Sequence, residues 1–584
     1  MNSNNIISRL RLRRSQHCGL HTPSKLRTHW PFRLAGLALS SGVLIAGLTL
    51  LSTPANSQLG APQNRGQFKI ESHEIAVCLQ CHGGLGFVAP DSSGHVRSLY
   101  VDGRALANSV HKDKTCQDCH DGIDQVPHDK SKIMTPSCGM CHTEESELYA
   151  SSAHQPKSAV DLDHPSCLYC HGGNAHAVSS PKSFTSEERL GICVRCHSNS
   201  DLMRKWRVDP DAVQSYKDSF HGKAVRYGSQ KAATCVDCHT AHHVLPKTNP
   251  ASSVNPSHSM ETCSKCHRGA VVKFASSGVT HLAIKEKESP ALRGEISLFT
   301  CLTWGVLGLL SLSIILDVRA GVKHQFKRFK QNLKEDILRG DEPEADKDDK
   351  VYLWFTPFQR TQHWLFAISF IILALTGLPL RFYEDSHMAG LYNFLGGLQV
   401  ARMIHRTAAV VMIAATLMHF SYLIWSWKKI NFSIRKIVML PNKQDWKDHI
   451  ETWRFYLGKR RTVPTFGRFS FRAKFGYFAV FWGLPIMVIS GLCLWFPIAA
   501  SRALPPLGVS MAYLAHSDEA ILAIGAIFIW HIYTTVFSPL YLPLGRKMIF
   551  GTVTQEEAKF EHGRHEFPEG KTGPQGKGQP DHSS

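Results

Sequence analysis

Between residues 78 and 267 the pattern Cys-x-x-Cys-His recurs seven times, and no other feature limits so sharply what the chain can fold into. The copies are Cys78/Cys81/His82, Cys116/Cys119/His120, Cys138/Cys141/His142, Cys167/Cys170/His171, Cys193/Cys196/His197, Cys235/Cys238/His239 and Cys263/Cys266/His267. They take up fourteen of the 17 cysteines. The pattern is that of c-type haem attachment: two thiols form thioethers with the haem, and the adjoining histidine reaches the iron from one side. Zinc sites use ligands in sets of four, and seven pairs each followed by His do not divide that way. Disulfides would not require a histidine after every second cysteine. The motifs succeed one another at about 30 residues, too few for each unit to build an apolar core. Seven covalently bound haem c groups are therefore expected to be the core of this region, wrapped by short helices and loops with little regular structure.

Axial ligation from both sides needs seven further histidines. Twelve lie outside the motifs in this region: His73, His95, His111, His128, His154, His164, His176, His221, His242, His243, His258 and His281. His111, His154 and His221 sit in Ser-x-His, behind Ser109, Ser152 and Ser219, and His281 follows Ser276-Ser277. His128, His176 and His242 or His243 instead trail a motif by a few residues. Those two groups give a candidate set of seven: His111, His128, His154, His176, His221, His242 and His281. His73 and His258 are the alternates, and the bland reading of any single one is a surface histidine.

The chain opens with a basic segment and an apolar run from Leu34 to Leu51, which reads as a signal peptide or signal anchor over 1–57 and exports the residues beyond it. The expected organisation is then a periplasmic seven-haem domain over 58–290, a membrane helix over 291–320, a charged cytoplasmic connector over 321–350, a four-helix domain over 351–550 and a cytoplasmic tail over 551–584. Ile296 to Val318 is long enough to span a bilayer, and Arg319, Lys323, Lys327, Arg328 and Lys330 mark its cytoplasmic end. Four more apolar spans lie near 363–380, 404–425, 475–497 and 519–537, and the basic loop between the second and third puts the C-terminus on the cytoplasmic side. The fold class is mainly α: a haem-organised domain joined to a transmembrane helical bundle.

Ionisable side chains inside membrane helices are costly and mark function. His363, His405, His419, His516 and His531 fall in or beside the four spans. His405 and His419 are separated by about 21 Å along a helix and lie within roughly 40° of one face; His516 and His531 are separated by about 22 Å and roughly 60°. Two helices that each offer a histidine near either membrane surface suit two stacked haem b groups.

Arg360-Thr-Gln-His363-Trp364, Thr376-Gly377, His516, His531-Ile-Tyr533 and Met548-Ile-Phe-Gly551 resemble the di-haem cytochrome b subunit (gamma) of respiratory formate dehydrogenases, hydrogenases and thiosulfate reductases. The resemblance covers about residues 350 to 562. It implies His363 with His531 as ligands on the cytoplasmic side and His405 with His516 on the outer side, with His419 competing with His363 for the inner haem. The whole chain resembles the inner-membrane cytochrome b/c quinol oxidoreductases of metal-respiring bacteria. That implies electrons passing from menaquinol or ubiquinol through the b haems to the c haems and on to a periplasmic cytochrome or reductase. A subunit of a larger dehydrogenase complex and a multihaem terminal reductase remain the alternatives. The formal charge of +19 is offset by haem propionates, about −18 for nine haems, and no nucleic-acid motif accompanies it.

Overall fold

The computed structural model describes residues 73–90, 94–128, 136–156, 164–339, 351–429, 431, 439–539 and 546–565. The expected signal segment, most of the charged connector beyond Arg339 and the last nineteen residues of the tail lie outside them. Each motif forms a short helical turn. The N–H of the motif histidine bonds the carbonyl of the first cysteine, as in His120 to Cys116 (2.9 Å), His142 to Cys138 (2.9 Å) and His171 to Cys167 (3.1 Å). That bond puts both thiols on one side of the turn and the imidazole one step around it.

Helix α1 (His73–His82) ends in the first motif and leads to a hairpin of β1 (Val88–Pro90) and β2 (Val96–Ser98), paired antiparallel with Ala89 opposite Arg97. Helix α2 (Ser186–His197) carries the fifth motif and is opened by a capping box between Thr185 and Glu188. Then come α3 (Ala212–Asp218), α4 (Phe220–Arg226) and α5 (Leu282–Glu288). The buried apolar cluster of this region is small, made of Leu190, Tyr216 and Val225. A domain of this length with so little apolar core needs something else to pack around.

Helix α6 (Pro290–Arg339) continues the chain as 50 residues, about 75 Å long. It does not stop near 320 as the basic flank suggested. Lysine, arginine and glutamate are good helix formers, and Arg328 pairs with Glu556 at 2.8 Å while Gln325 donates to the carbonyl of Pro539. The bundle continues with α7 (Pro357–Arg381), α8 (Gly397–Lys429), the amphipathic α9 (Lys443–Tyr456), α10 (Phe471–Trp495), α11 (Pro497–Ala503) and α12 (Gly508–Gly525). From α12 the backbone passes into π-helical turns at Ala526–His531 and Tyr533–Phe537. Among the described residues five helices are long and apolar enough to cross a membrane, and the chain is a multi-pass membrane protein. Helix α7 packs on α8, α10 on α12, and α6 along α12 and the π-helical turns.

The bundle has two distinguishable ends. At its near end Ala224 of α4 packs with Tyr392, Leu398 and Ala401, so the motif domain sits directly on it. At its far end β3 (Val351–Leu353) pairs antiparallel with β4 (Thr552–Thr554), and Trp354, Val553 and Ala558 form a buried cluster. The segment just after 550 is therefore part of the folded domain rather than a free tail.

One buried polar knot ties α6 to the rest. Asp317 accepts from the hydroxyls of Tyr456 (2.6 Å), Tyr533 (2.8 Å) and Ser538 (2.7 Å) and pairs with Arg472 at 3.3 Å. Asp317 is 2% exposed and Arg472 8%. Removing one partner of a buried ion pair leaves the other charge unsatisfied, at about 3–5 kcal/mol. Asp317→Ala is expected to lose that much stability, read as an earlier thermal loss of helical circular dichroism in detergent. Asp317→Asn, which still accepts hydrogen bonds, is expected to lose less.

Candidate functional site

Every motif histidine faces one histidine outside the motifs. Ring centroids are 6.0 Å apart for His82–His128, 6.1 Å for His120–His176, 6.1 Å for His142–His111 and 6.3 Å for His171–His242. They are 6.2 Å apart for His197–His154, 6.4 Å for His239–His281 and 6.0 Å for His267–His221. The angle between ring planes runs from 5° to 70° while the separation hardly changes. Ordinary aromatic contacts couple distance to tilt. Two imidazole nitrogens each about 2 Å from a shared metal, along one axis, put the ring centroids about 6 Å apart whatever the tilt. The residues fit haem iron held from both sides.

Local structure explains how the partners are aimed. Ser109 and Ser152 are buried and accept the backbone N–H of His111 (3.0 Å) and His154 (3.2 Å), and Ser219 accepts that of Gly222 at the start of α4. The Ser-x-His context is thus a turn anchor. His242, not His243, faces a motif histidine; His258 lies 4.0 Å from Glu261 and His164 stacks edge-on against Trp206. Burial pushes His239 down to about 4, and holds His154, His197, His221 and His281 below their usual value. Burial thus favours the neutral imidazole, the form that binds a metal.

The motifs touch in chain order. The thiol of Cys116 meets Cys78, that of Cys119 lies by Cys138 and Cys141, and Cys167 meets Cys138. Cys170 lies by Cys193 and Cys196, Cys235 meets Cys193, and Cys238 lies by Cys263 and Cys266. Consecutive motifs are therefore neighbours from first to seventh. Cys81 lies at the end of α1 and is exposed, as are Cys119, Cys138, Cys141, Cys167 and Cys266. Burial raises the thiols of Cys116 and Cys238 to about 11. Among the described residues no cluster of three or more His, Cys, Asp or Glu converges on a metal-ion site.

Two more histidine pairs lie in the bundle. His405 of α8 faces His516 of α12 at 6.4 Å near the motif domain, and His363 of α7 faces His531 at 6.3 Å toward the far end. The near pair is built twice over on one plan. Thr376, whose hydroxyl donates to the carbonyl of Ile372, accepts from Nδ1 of His405 at 2.8 Å, and the carbonyl of Leu373 also accepts from that ring. Ser490, which donates to Ile486, accepts from Nδ1 of His516 at 3.0 Å, with the carbonyl of Met487 in the place of Leu373. Each hydroxyl precedes a glycine. A Cβ at Gly377 would lie 3.5 Å from Cε1 of His405, and one at Gly491 3.2 Å from Cε1 of His516. Holding Nδ1 this way fixes the tautomer and aims Nε2 across the gap. Beside His405 opens a cavity of about 490 Å³ lined by Arg402, Arg406 and Trp495 among others, and its paired guanidiniums suit carboxylates such as haem propionates.

His419 stands apart from these two pairs. Both its ring nitrogens are engaged elsewhere, Nδ1 with Gln362 Oε1 at 3.2 Å and Nε2 with the Tyr477 hydroxyl at 2.9 Å, so it faces no second imidazole. Helix geometry alone could not separate it from His363, because the choice depends on what the neighbouring helices present. Ser490-Gly491 beside His516 was missed, and Thr376-Gly377 beside His405 stood only as part of the resemblance. Their signal was the pair of Thr-Gly and Ser-Gly steps, Thr376-Gly377 and Ser490-Gly491, near the ends of two separate helices.

Residues 354–551 match the family described as Prokaryotic cytochrome b561. This part of the chain is a prokaryotic cytochrome b561 domain. It is similar to the cytochrome b556(fdo) subunit of formate dehydrogenase from Escherichia coli strain K12, and equally to that of strain O157:H7. The identity is 28% over 218 residues, which is 36% of this chain and 89% of the relative. The domain is a membrane cytochrome b of electron transport, and its family implies haem b.

Gly491→Leu is expected to push the His516 ring aside and lower the haem b content by one per chain, counted by absorbance after haem extraction. His419→Gln is expected to leave that count unchanged, and a loss of haem b there would restore His419 as a ligand.

Proposed function

We propose that this chain is a quinol dehydrogenase of the bacterial inner membrane, carrying electrons from menaquinol or ubiquinol through two haem b and seven haem c to a periplasmic cytochrome or reductase. The reading rests on one observation: nine imidazole pairs of a single spacing, two in the bundle and seven in chain order beyond it. In this reading the fourteen motif cysteines, Cys81 included, tether haem c, each motif histidine and its partner are the axial ligands, and His363, His531, His405 and His516 hold haem b. Haem supplies reversible one-electron chemistry when bound.

The chain's own residues do the rest. His419, hydrogen-bonded between Gln362 and Tyr477, is a titratable group inside the membrane close in sequence to the far pair through Gln362 and His363. It is the candidate acceptor for a quinol hydroxyl proton. The Nδ1 contacts of His405 and His516 hold ring orientation, and the apolar helices around them exclude water. The basic residues Arg319 to Lys330 in the second half of α6 and the basic loop before α10 support a periplasmic motif domain and a cytoplasmic far end.

A second reading keeps one specific support: the relatives of the b domain are named as subunits of formate dehydrogenase. In that reading a separate catalytic subunit would co-purify in stoichiometric amount. A terminal reductase, which needs an iron open on one side, fits less well with a histidine opposite every motif histidine.

In liposomes, a quinol analogue is expected to reduce the b absorbance bands and then the c bands. Reduction of b without c would sink the proposal. His419→Gln is expected to slow quinol-driven b reduction at least about tenfold while dithionite still reduces the full haem complement.

A further inference from the structure

We propose that the junction between the bundle and the motif domain lies at the His221–His267 pair, and that Lys223 is the buried cation that biases this junction toward accepting electrons from the membrane side. The inference rests on the quinol dehydrogenase reading and adds to it a particular pair and a positioning residue.

The contacts of that pair converge on the near end of the bundle from two sides. Phe220, the neighbour of His221, carries the Arg402 guanidinium over its ring at 4.8 Å, and Arg402 precedes His405 by three residues, less than one turn of α8. Two residues beyond His267, the carbonyl of Gly269 accepts from Arg502 at 3.3 Å, and the carbonyl of Ser277 accepts from Ser510 of α12, the helix of His516. Phe274, whose ring packs at a tilt against His267 with centroids 5.0 Å apart, lies between these two points in the chain. The His239–His281 pair is the other candidate by sequence, because His281 immediately precedes α5. Its helix is tied instead within the motif domain, by Ala283 N–H to Ser215 Oγ and by Lys287 to Asp209 and Asp211.

Lys223 sits at this junction on α4, two residues after His221, and is 5% exposed. Its Nζ donates to the Tyr513 hydroxyl at 2.6 Å and lies 5.2 and 5.3 Å from the ring centres of Tyr383 and Tyr513. Tyr513 is three residues before His516, so one ammonium touches the segment of a motif-side ligand and the segment of a bundle ligand. Its neighbours are a hydroxyl and two ring faces, and none of them cancels its charge. Tyr383 in turn donates to Asp218 at 2.8 Å, which fixes that ring. A buried cation in a medium of low polarity stabilises whichever nearby centre gains negative charge. With haem bound at both pairs, one electron would pass from the centre held by His405 and His516 to the centre held by His221 and His267; no bond would be made or broken there, and quinol would be the source.

The test is a redox titration of the full protein with its haems, tracking b and c bands separately. Lys223→Met is expected to lower the potential of one c centre and shift the equilibrium between it and the near b centre about tenfold toward b, which is 59 mV for a one-electron couple. Lys223→Arg is expected to restore most of it. An unchanged titration in Lys223→Met overturns the role of Lys223. Should that variant not assemble, the unaltered protein decides the junction: the low-spin signal of the near b centre is expected to relax faster in electron paramagnetic resonance while the His221–His267 centre is ferric, and no change on reducing it overturns the pairing. Failure of the parent protein to take electrons from quinol at all would instead strike the underlying reading.

Discussion

A gap of about 6 Å between two imidazole rings is the dimension to which the rest of this molecule is built. In the motif domain it takes the part that apolar side chains take elsewhere. The buried apolar cluster there is three residues, whereas seven imidazole pairs join segments that are remote in the chain. His171 faces His242 and His120 faces His176, each across at least one other motif. Such pairs fix loops that have no sheet or long helix to hold them. A domain organised this way couples its folding to the groups it binds, since the unfolded chain offers no preformed gap.

The bundle meets the same dimension by different means. Helices α7 and α10 each carry, one turn before their ends, a hydroxyl and a glycine that serve a histidine on the next long helix, Thr376-Gly377 for His405 and Ser490-Gly491 for His516. The glycine leaves room beside the ring and the hydroxyl fixes its tautomer. The two helix pairs are thus versions of one device facing each other, and the near imidazole pair forms where they meet. The far pair is less symmetric: His363 and His531 come from α7 and the π-helical stretch, and Nδ1 of His363 is buried without a hydrogen-bond partner.

Much of this was legible in the sequence because it is local. The Cys-x-x-Cys-His turns need only one helical hydrogen bond, and the membrane helices need only length and apolar content. The Ser-x-His and motif-trailing contexts picked out the histidines that stand opposite motif histidines, since both contexts reflect turns. Which partner serves which motif was not legible. His142 pairs backward to His111 while His82 pairs forward to His128, and nothing in spacing orders them. His419 could not be told apart from His363 for a related reason: a helix presents it correctly, but Tyr477 and Gln362 from other helices claim both its nitrogens. The folded strand at Thr552–Thr554 was hidden because its partner, Val351–Leu353, lies two hundred residues away.

Helix α6 looks at first like a tether between two domains, and its contacts argue for more. It lies along α12, the helix that bears His516 and leads to His531. A Cβ at Gly525 would come within 2.8 Å of the Leu307 side chain, so that side chain packs directly against the backbone of α12. Just beyond, α12 gives way to π-helical turns, whose wider hydrogen-bond spacing is often found at functional sites. There Asp317 of α6 accepts from Tyr533, two residues after His531, and from Ser538. The irregular stretch that presents an imidazole to the far pair is therefore held from outside, by a helix that also connects to the motif domain. With Leu292 fully buried at one end of α6 and Asp317 toward the other, that helix sets the position of both ligand-bearing turns of α12 against the domain above. An electron path depends on fixed separations, and one continuous helix spanning both ends is the simplest way to keep them.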